Sequence, residues 1–335
     1  MKNRKFSLFL IFLILFIWFL VFFVIPSKTE ISIKGETMGT TYEVKINQVY
    51  PQNIDLISKD IDSILLAVNQ SMSTYIPNSE ISLINNNQSN QVFVLSDDFK
   101  YVLEKSLEYY VLTDGAFDVT IRPLLKLWGF RGKEIYSAPD QNAIKNVLKY
   151  VGSDNVLLSS NKFSKKHPKL ELDFGAIAKG YAVDKISDYL TELGYLVHYV
   201  EIGGEIICKG KDWNIKVAYP EFLSDKGFKV LKLNNQAVAT SGTYNQFIEI
   251  DNFEYSHIFD SRLGKPAKNK ILSVTVISDK CIDTDALSTS LKVLGKDKGL
   301  DLINQIDQIE CMFILKEDGV LKDYYSNNFS RFLLN

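Results

Sequence analysis

Residues Phe6–Ile25 read FSLFLIFLILFIWFLVFFVI, and Ser7 is their only non-apolar side chain. A helix that is apolar on every side has no face to offer water, which excludes an ordinary surface helix here. Twenty residues at about 1.5 Å rise span roughly 30 Å, the thickness of a bilayer's hydrocarbon core. Lys2, Arg4 and Lys5 precede the run, so the amino end is expected in the cytoplasm and the remainder outside. A cleaved signal peptide has a shorter apolar core followed by small residues. Here Pro26-Ser27-Lys28-Thr29 follows bulky side chains, and no cysteine lies close enough for a lipid anchor. The sequence therefore predicts a single-pass anchor over 1–28 and one globular domain over 29–335.

That domain reads as α+β. Apolar residues recur at helical spacing over 53–70, 97–113, 140–150, 175–193 and 284–304. Short β-type runs fall at 197–210, 213–219, 228–233, 236–241, 246–250 and 271–278. Tyr42, Val44 and Ile46 alternate in another strand, after a Gly-containing turn. The strands cluster without regular βαβ alternation, which points to antiparallel sheet with flanking helices. Net charge is −2 with no long run of one sign, so a nucleic-acid partner is not expected. Cys208, Cys281 and Cys311 show no CxxC or Cys/His spacing, which excludes zinc and redox-pair readings. Buried thiols are expected, with one disulfide left open.

Three constellations carry chemistry. The first is LELDFGAIAKGYAVD at 170–184. Its Asp173-Phe174-Gly175 matches the magnesium tripeptide of protein kinases, but residues 1–169 hold no Gly-rich loop or H-R-D-type loop, so that match is coincidence. The stretch reads instead as a strand over Leu170–Asp173, a turn of small residues, and a helix. Ala182, Ile186, Tyr189 and Leu193 form the expected apolar face, with Gly194 at the C′ position. Lys179 then sits in the first turn, where free N–H groups suit a phosphate; small residues there are also common packing devices. The second is DTDALSTSLKVLG at 283–295, with Asp283 as expected N-cap and Asp285 and Thr289 on one helix face. A carboxylate and a hydroxyl are hard ligands for Mg²⁺, though on the residues alone an acidic first turn plus a helix threonine is the favoured reading. The third is YSHIFDSRLGKP at 255–266, which carries His257. His167 and His198 receive no function.

Together the segments ETMGTTYEV, STYIPNSEIS, DGAFDVTIRPLLKLWGF, LDFGAIAKGYAVD, VEIGGEI, ATSGTY…HIFDSRLGKP and DTDALSTSL resemble the FAD:protein FMN transferases, the ApbE family. They run in order from about residue 35 to 297. The resemblance implies an ApbE-like fold and an enzyme that cleaves FAD with Mg²⁺. FMN passes to a threonine or serine hydroxyl of an acceptor protein through a phosphoester, and AMP leaves. It places Met38, Tyr75, Ala116, Phe117, Asp118, Asp173, Lys179, His257 and Ile258 at FAD. The Ala176 carbonyl, Asp285 and Thr289 fall on metal positions. Lys179, Asp285 and His257 would carry catalysis, His257 as base because an unperturbed imidazole near pKa 6.5 suits proton transfer.

The implied acceptors are extracytoplasmic flavoproteins with a Ser/Thr-Gly-Ala-Ser/Thr pattern, including subunits of ion-pumping redox complexes. The local Thr240-Ser241-Gly242-Thr243 lacks the alanine, so self-modification is not expected. An FAD pyrophosphatase and a non-catalytic flavin-binding protein are the alternative readings. The sequence departs from the family pattern at Val119, Asn245, Gln246, Ser261 and Leu263, positions that bear on acceptor or adenine contacts.

Overall fold

The computed structural model describes residues 11–14, 16, 30–47, 53–132, 135–217, 229–242, 247–250 and 253–334. Residues 11–14 and 16 are helical, and the rest of the span expected over Phe6–Ile25 lies outside the described residues. Among the described residues no helix is long and apolar enough to cross a membrane.

The domain begins with a hairpin, β1 (Glu30–Thr37) and β2 (Thr40–Asn47), paired from Glu30↔Asn47 to Thr37↔Thr40. Its two-residue tip, Met38 and Gly39, has φ of 52° and 76°. Positive φ at both central residues gives the twist that a tight hairpin needs. Helix α1 (Ile54–Met72) follows, with Ile57, Ile61, Leu65, Val68 and Met72 buried in one stripe. Helix α2 (Glu80–Asn86) is capped by the Ser79 hydroxyl, which accepts from the Ser82 N–H at 3.2 Å. Then come β3 (Phe93–Val94), α3 (Asp97–Leu112), α4 (Arg122–Leu127), α5 (Gln141–Leu148), β4 (Val156–Ser159) and β5 (Lys162–Lys165). Helix α6 (Ala178–Glu192) leads to β6 (His198–Ile202), β7 (Glu205–Cys208), β8 (Trp213–Val217), β9 (Lys229–Leu233) and β10 (Gln236–Gly242). Short strands β11 (Phe247–Ile250), β12 (Phe253–Ser256), β13 (Phe259–Asp260) and β14 (Lys265–Pro266) precede β15 (Ile271–Ser278). Helices α7 (Cys281–Leu294) and α8 (Lys296–Ile303) and strands β16 (Glu310–Glu317) and β17 (Val320–Tyr325) complete it.

Eight strands form one antiparallel sheet in the order β1-β2-β6-β7-β10-β15-β16-β17. Its centre is buried on both faces, and the two-residue period sorts side chains between two cores. Val274, Val276 and Phe313 join α1, α6 and α7 on one face. Ile277, Met312 and Ile314 meet Ile215, Val217, Leu231 and Leu233 of the β8–β9 ribbon on the other. A third cluster of Leu124, Trp128, Ile144 and Phe259 roofs one side of the domain. The α+β expectation holds.

Four local expectations need correcting. Leu170–Asp173 is not a strand: the Asn85 side chain takes the Leu172 N–H at 2.7 Å and donates to its carbonyl at 2.8 Å. The Asp173 N–H meets the Val119 carbonyl at 2.7 Å, so these backbone groups are satisfied without a ladder. The apolar face of α6 is centred on Ala182, Val183, Ile186 and Leu190, whereas Leu193 is 50% exposed. The 284–304 pattern is two helices, because Gly295 at φ 88° breaks it. Asp283 lies inside α7 and accepts from the Tyr109 hydroxyl. The capping carboxylate is Asp184 of α6, which accepts from the Cys281 and Ile282 N–H groups at 2.8 and 2.9 Å. All three cysteines are buried and free. His198 is fully buried, bonded to the Ser187 hydroxyl and the Tyr195 carbonyl.

Candidate active site

The start of α6 packs on α7 more closely than side chains ordinarily allow. A Cβ placed on Gly180 would stand 2.3 Å from the Cys281 carbonyl oxygen and 2.8 Å from the Asp285 Cβ. Gly180, the small residue after Lys179, therefore serves packing. The approach also lets the Gly180 N–H donate to Asp285 Oδ2 at 2.9 Å.

Lys179 projects from this junction between two carboxylates. Its Nζ lies 3.0 Å from Glu205 Oε1 and 3.6 Å from Asp285 Oδ1. Glu205 arrives from the other side, at the start of β7, after the Gly203-Gly204 turn. Glu205 is 6% exposed and Asp285 3%. Burial works to discharge the ammonium, but Asp285 and Glu205 outweigh it and hold the Lys179 pKa above that of an ordinary lysine. Burial raises the Glu205 pKa, and Lys179 opposes that rise.

These groups line one end of a cavity of about 770 Å³, within the roughly 300–1,000 Å³ usual for small-molecule sites. The hairpin tip contributes Met38, and the end of α1 leads into a loop carrying Tyr75. The loop after α3 supplies Ala116, Phe117 and Asp118, and the approach to α6 supplies Asp173 and Ala176. His257 and Ile258 close one wall, and Thr289 lies one turn beyond Asp285. The fold thus brings all twelve residues singled out in the sequence around one space.

Their states differ. Asp118 Oδ1 accepts from the Thr120 N–H, the Thr120 hydroxyl and the Ser153 hydroxyl at 2.7–2.9 Å. Its Oδ2 is buried without a partner, and Asp118 is one of the residues that line the cavity. Burial raises its pKa against those hydrogen bonds. Asp173 is already engaged: Oδ1 accepts from the Gly175 N–H at 2.9 Å, and Oδ2 lies 3.4 Å from Arg122 and 3.7 Å from Arg131. Tyr75 is 76% exposed, with the Arg131 guanidinium 5.6 Å from its ring centroid. Ser261, one of the departures from the family pattern, donates to the Gly115 carbonyl at 2.9 Å and steadies the neighbouring loop.

Sequence reasoning missed Glu205, Arg131 and the anchoring Asn85. Glu205 stands in the VEIGGEI segment, but nothing local says that its side chain reaches a lysine 26 positions earlier.

The donor set can accept a divalent cation. Among the described residues no group of three His, Cys, Asp or Glu side chains is poised for a metal. The Asp285 carboxylate, the Thr289 hydroxyl and the Ala176 carbonyl are, however, hard oxygens around the same space. Two buried carboxylates against one ammonium leave formal negative charge, and Glu205 Oε2 is buried without a partner.

Residues 38–313 match the model of the ApbE family. The chain is 35% identical over 314 residues to the FAD:protein FMN transferase of Vibrio cholerae, covering 91% of this chain and 93% of that one. It is 35% identical over 305 residues to the enzyme of that name from Haemophilus influenzae, covering 86% and 88%. Among solved structures, the flavin transferase ApbE from Vibrio cholerae aligns with a TM-score of 0.82 at 34% identity, covering 92% of this chain and 100% of that one. The apo flavinyl transferase ApbE of Pseudomonas stutzeri aligns with a TM-score of 0.82 at 30% identity, covering 91% and 97%.

Proposed function

This chain belongs to the ApbE family, and from that premise we propose that it transfers the FMN moiety of FAD to a threonine or serine hydroxyl of an acceptor protein, releasing AMP. The observation that carries the reading is the single cavity that joins Lys179, Asp285, Thr289 and His257 to the residues expected at FAD.

In this reading the acceptor oxygen forms a bond to the flavin-side phosphorus. The pyrophosphate P–O bond to AMP breaks, and the hydroxyl proton passes to His257. Little covalent work falls to the protein; positioning and charge do most of it. Lys179 brings a persistently charged ammonium to the phosphates, and the Gly180 N–H at the amino end of α6 holds Asp285 in place beside it. Asp285, Thr289 and the Ala176 carbonyl would hold Mg²⁺, which when bound supplies charge neutralisation at phosphate oxygens. Asp118 Oδ2 offers a buried acceptor to an N–H or O–H of the cofactor. Asp173 contributes through its loop, since both its oxygens are engaged by protein groups.

The proposal extends to place. Residues 1–28 would anchor the chain in the cytoplasmic membrane, with the catalytic domain on the extracytoplasmic side. Acceptors bearing the Ser/Thr-Gly-Ala-Ser/Thr pattern, including subunits of ion-pumping redox complexes, would share that surface. Anchoring would raise their effective concentration.

The test is AMP release from FAD, followed with Mg²⁺ and with a chelator, in wild type and His257→Ala. The proposal expects turnover that stops on chelation, and a rate in the variant lower by roughly 100-fold, the lower end for general base catalysis, at nearly unchanged FAD affinity. Equal turnover in His257→Ala would remove the base role.

A further inference from the structure

One ammonium serves two buried carboxylates at the α6–α7 junction, and the sharing is unequal. Lys179 Nζ is 3.0 Å from Glu205 and 3.6 Å from Asp285. Asp285 Oδ2 is held by the Gly180 N–H, so Oδ1, the oxygen nearer the lysine, is the one left to meet a cation. A lysine drawn fully onto Oδ1 would occupy it. Glu205 stands where it prevents that. Its other oxygen, Oε2, is buried and has no partner, while Glu205 as a residue lines the same cavity. Buried acceptors without partners are rare in folded proteins and mark a group arranged for something besides packing.

We propose that Glu205 is a positioning residue that keeps Lys179 off Asp285 and so leaves Asp285 free for the divalent cation. This rests on the reading of Asp285 as a cation ligand. Lysine and metal are competing positive charges at one carboxylate, and Glu205 decides the competition by giving the lysine a nearer partner. The same contact holds the ammonium beside the cavity in which the phosphates would lie. The Gly203-Gly204 turn is part of the device: φ of 62° and 104° reverses the chain within two residues and sets Glu205 at the first position of β7.

Mn²⁺ binding to the full-length protein, read by electron paramagnetic resonance with and without AMP, tests this apart from turnover. Glu205→Gln keeps the side-chain size but loses the charge. It should weaken Mn²⁺ by roughly 10–100-fold, the range for residues that support a metal's ligands. Adding Lys179→Met to Glu205→Gln should restore most of that affinity, because the competing ammonium is gone. Glu205→Asp, one methylene shorter, should fall between wild type and Glu205→Gln, and covers the case in which the amide variant folds poorly. Unchanged Mn²⁺ affinity in Glu205→Gln would overturn the proposal. A loss that Lys179→Met does not rescue would overturn it too, and would make Glu205 itself a ligand. If Asp285→Asn binds Mn²⁺ as wild type does, the underlying cation reading fails instead.

Discussion

The two halves of α7 bury charge in opposite ways. At its amino-terminal half, Asp285 faces Lys179 and the Gly180 N–H, and every charged group has a counter-charge or a strong donor. Near its carboxyl end Lys292 is 1% exposed, and its ammonium donates to the Ile271 carbonyl. Burial drives the Lys292 pKa down to about 7, while Lys179, paired with carboxylates, is pushed above the ordinary value. A lysine held charged inside a protein is available for phosphate chemistry; one held only by a carbonyl is a structural burden. The same helix supplies both, because its first half borders the cavity and its second half packs under β15.

Substitutions at each end sharpen that contrast. The largest effect belongs to Asp285→Ala, expected to lower Mg²⁺-dependent AMP release on the order of 1,000-fold, the several kcal/mol a bound metal contributes. Steady-state kinetics at saturating Mg²⁺ would check it, and turnover equal to wild type would break the contrast. Gly180→Ala comes next. Its new methyl would collide with the Cys281 carbonyl, and overpacking of this kind costs about 1–3 kcal/mol. Urea unfolding should show the loss, even though alanine is the better helix former.

The smallest effect is at the far end. Between pH 7 and the ordinary lysine value, the unfolded chain binds a proton at Lys292 that the folded chain does not. Stability therefore rises with pH across that window by up to about 1.4 kcal/mol per unit from this group. Lysine 165, lowered to about 8 by burial, acts in the same direction from pH 8 upward. Lys292→Met should flatten the Lys292 contribution. Urea midpoints of wild type and variant at pH 7 and 9.5 would show it, and parallel pH dependences would remove the burial argument.

Much of this architecture was legible from periodicity. Strands with one buried face, such as Tyr42-Val44-Ile46, announce themselves by alternation. The β16 run, ECMFILKE, is buried along most of its length on both faces and so carries no alternation to read. The Leu170–Asp173 stretch looks like a strand because it is extended and apolar, yet its partner is the side chain of Asn85. Asp283 looked like a cap because it is local; the true cap, Asp184, lies 97 residues earlier in sequence. The site divides in the same way. Lys179 was visible as a lysine at a helix start, and Asp285 with Thr289 as a helical pair. Glu205 was not, because its meaning comes only from meeting Lys179 in space.

The most direct measurement is the intact mass of an acceptor fragment carrying the Ser/Thr-Gly-Ala-Ser/Thr pattern, after incubation with the full-length protein, FAD and Mg²⁺, with Asp285→Ala as control. The account predicts a mass gain of one FMN residue, absent in the control. Metal-dependent AMP release with no gain on any fragment bearing the pattern would contradict transfer and leave hydrolysis in its place.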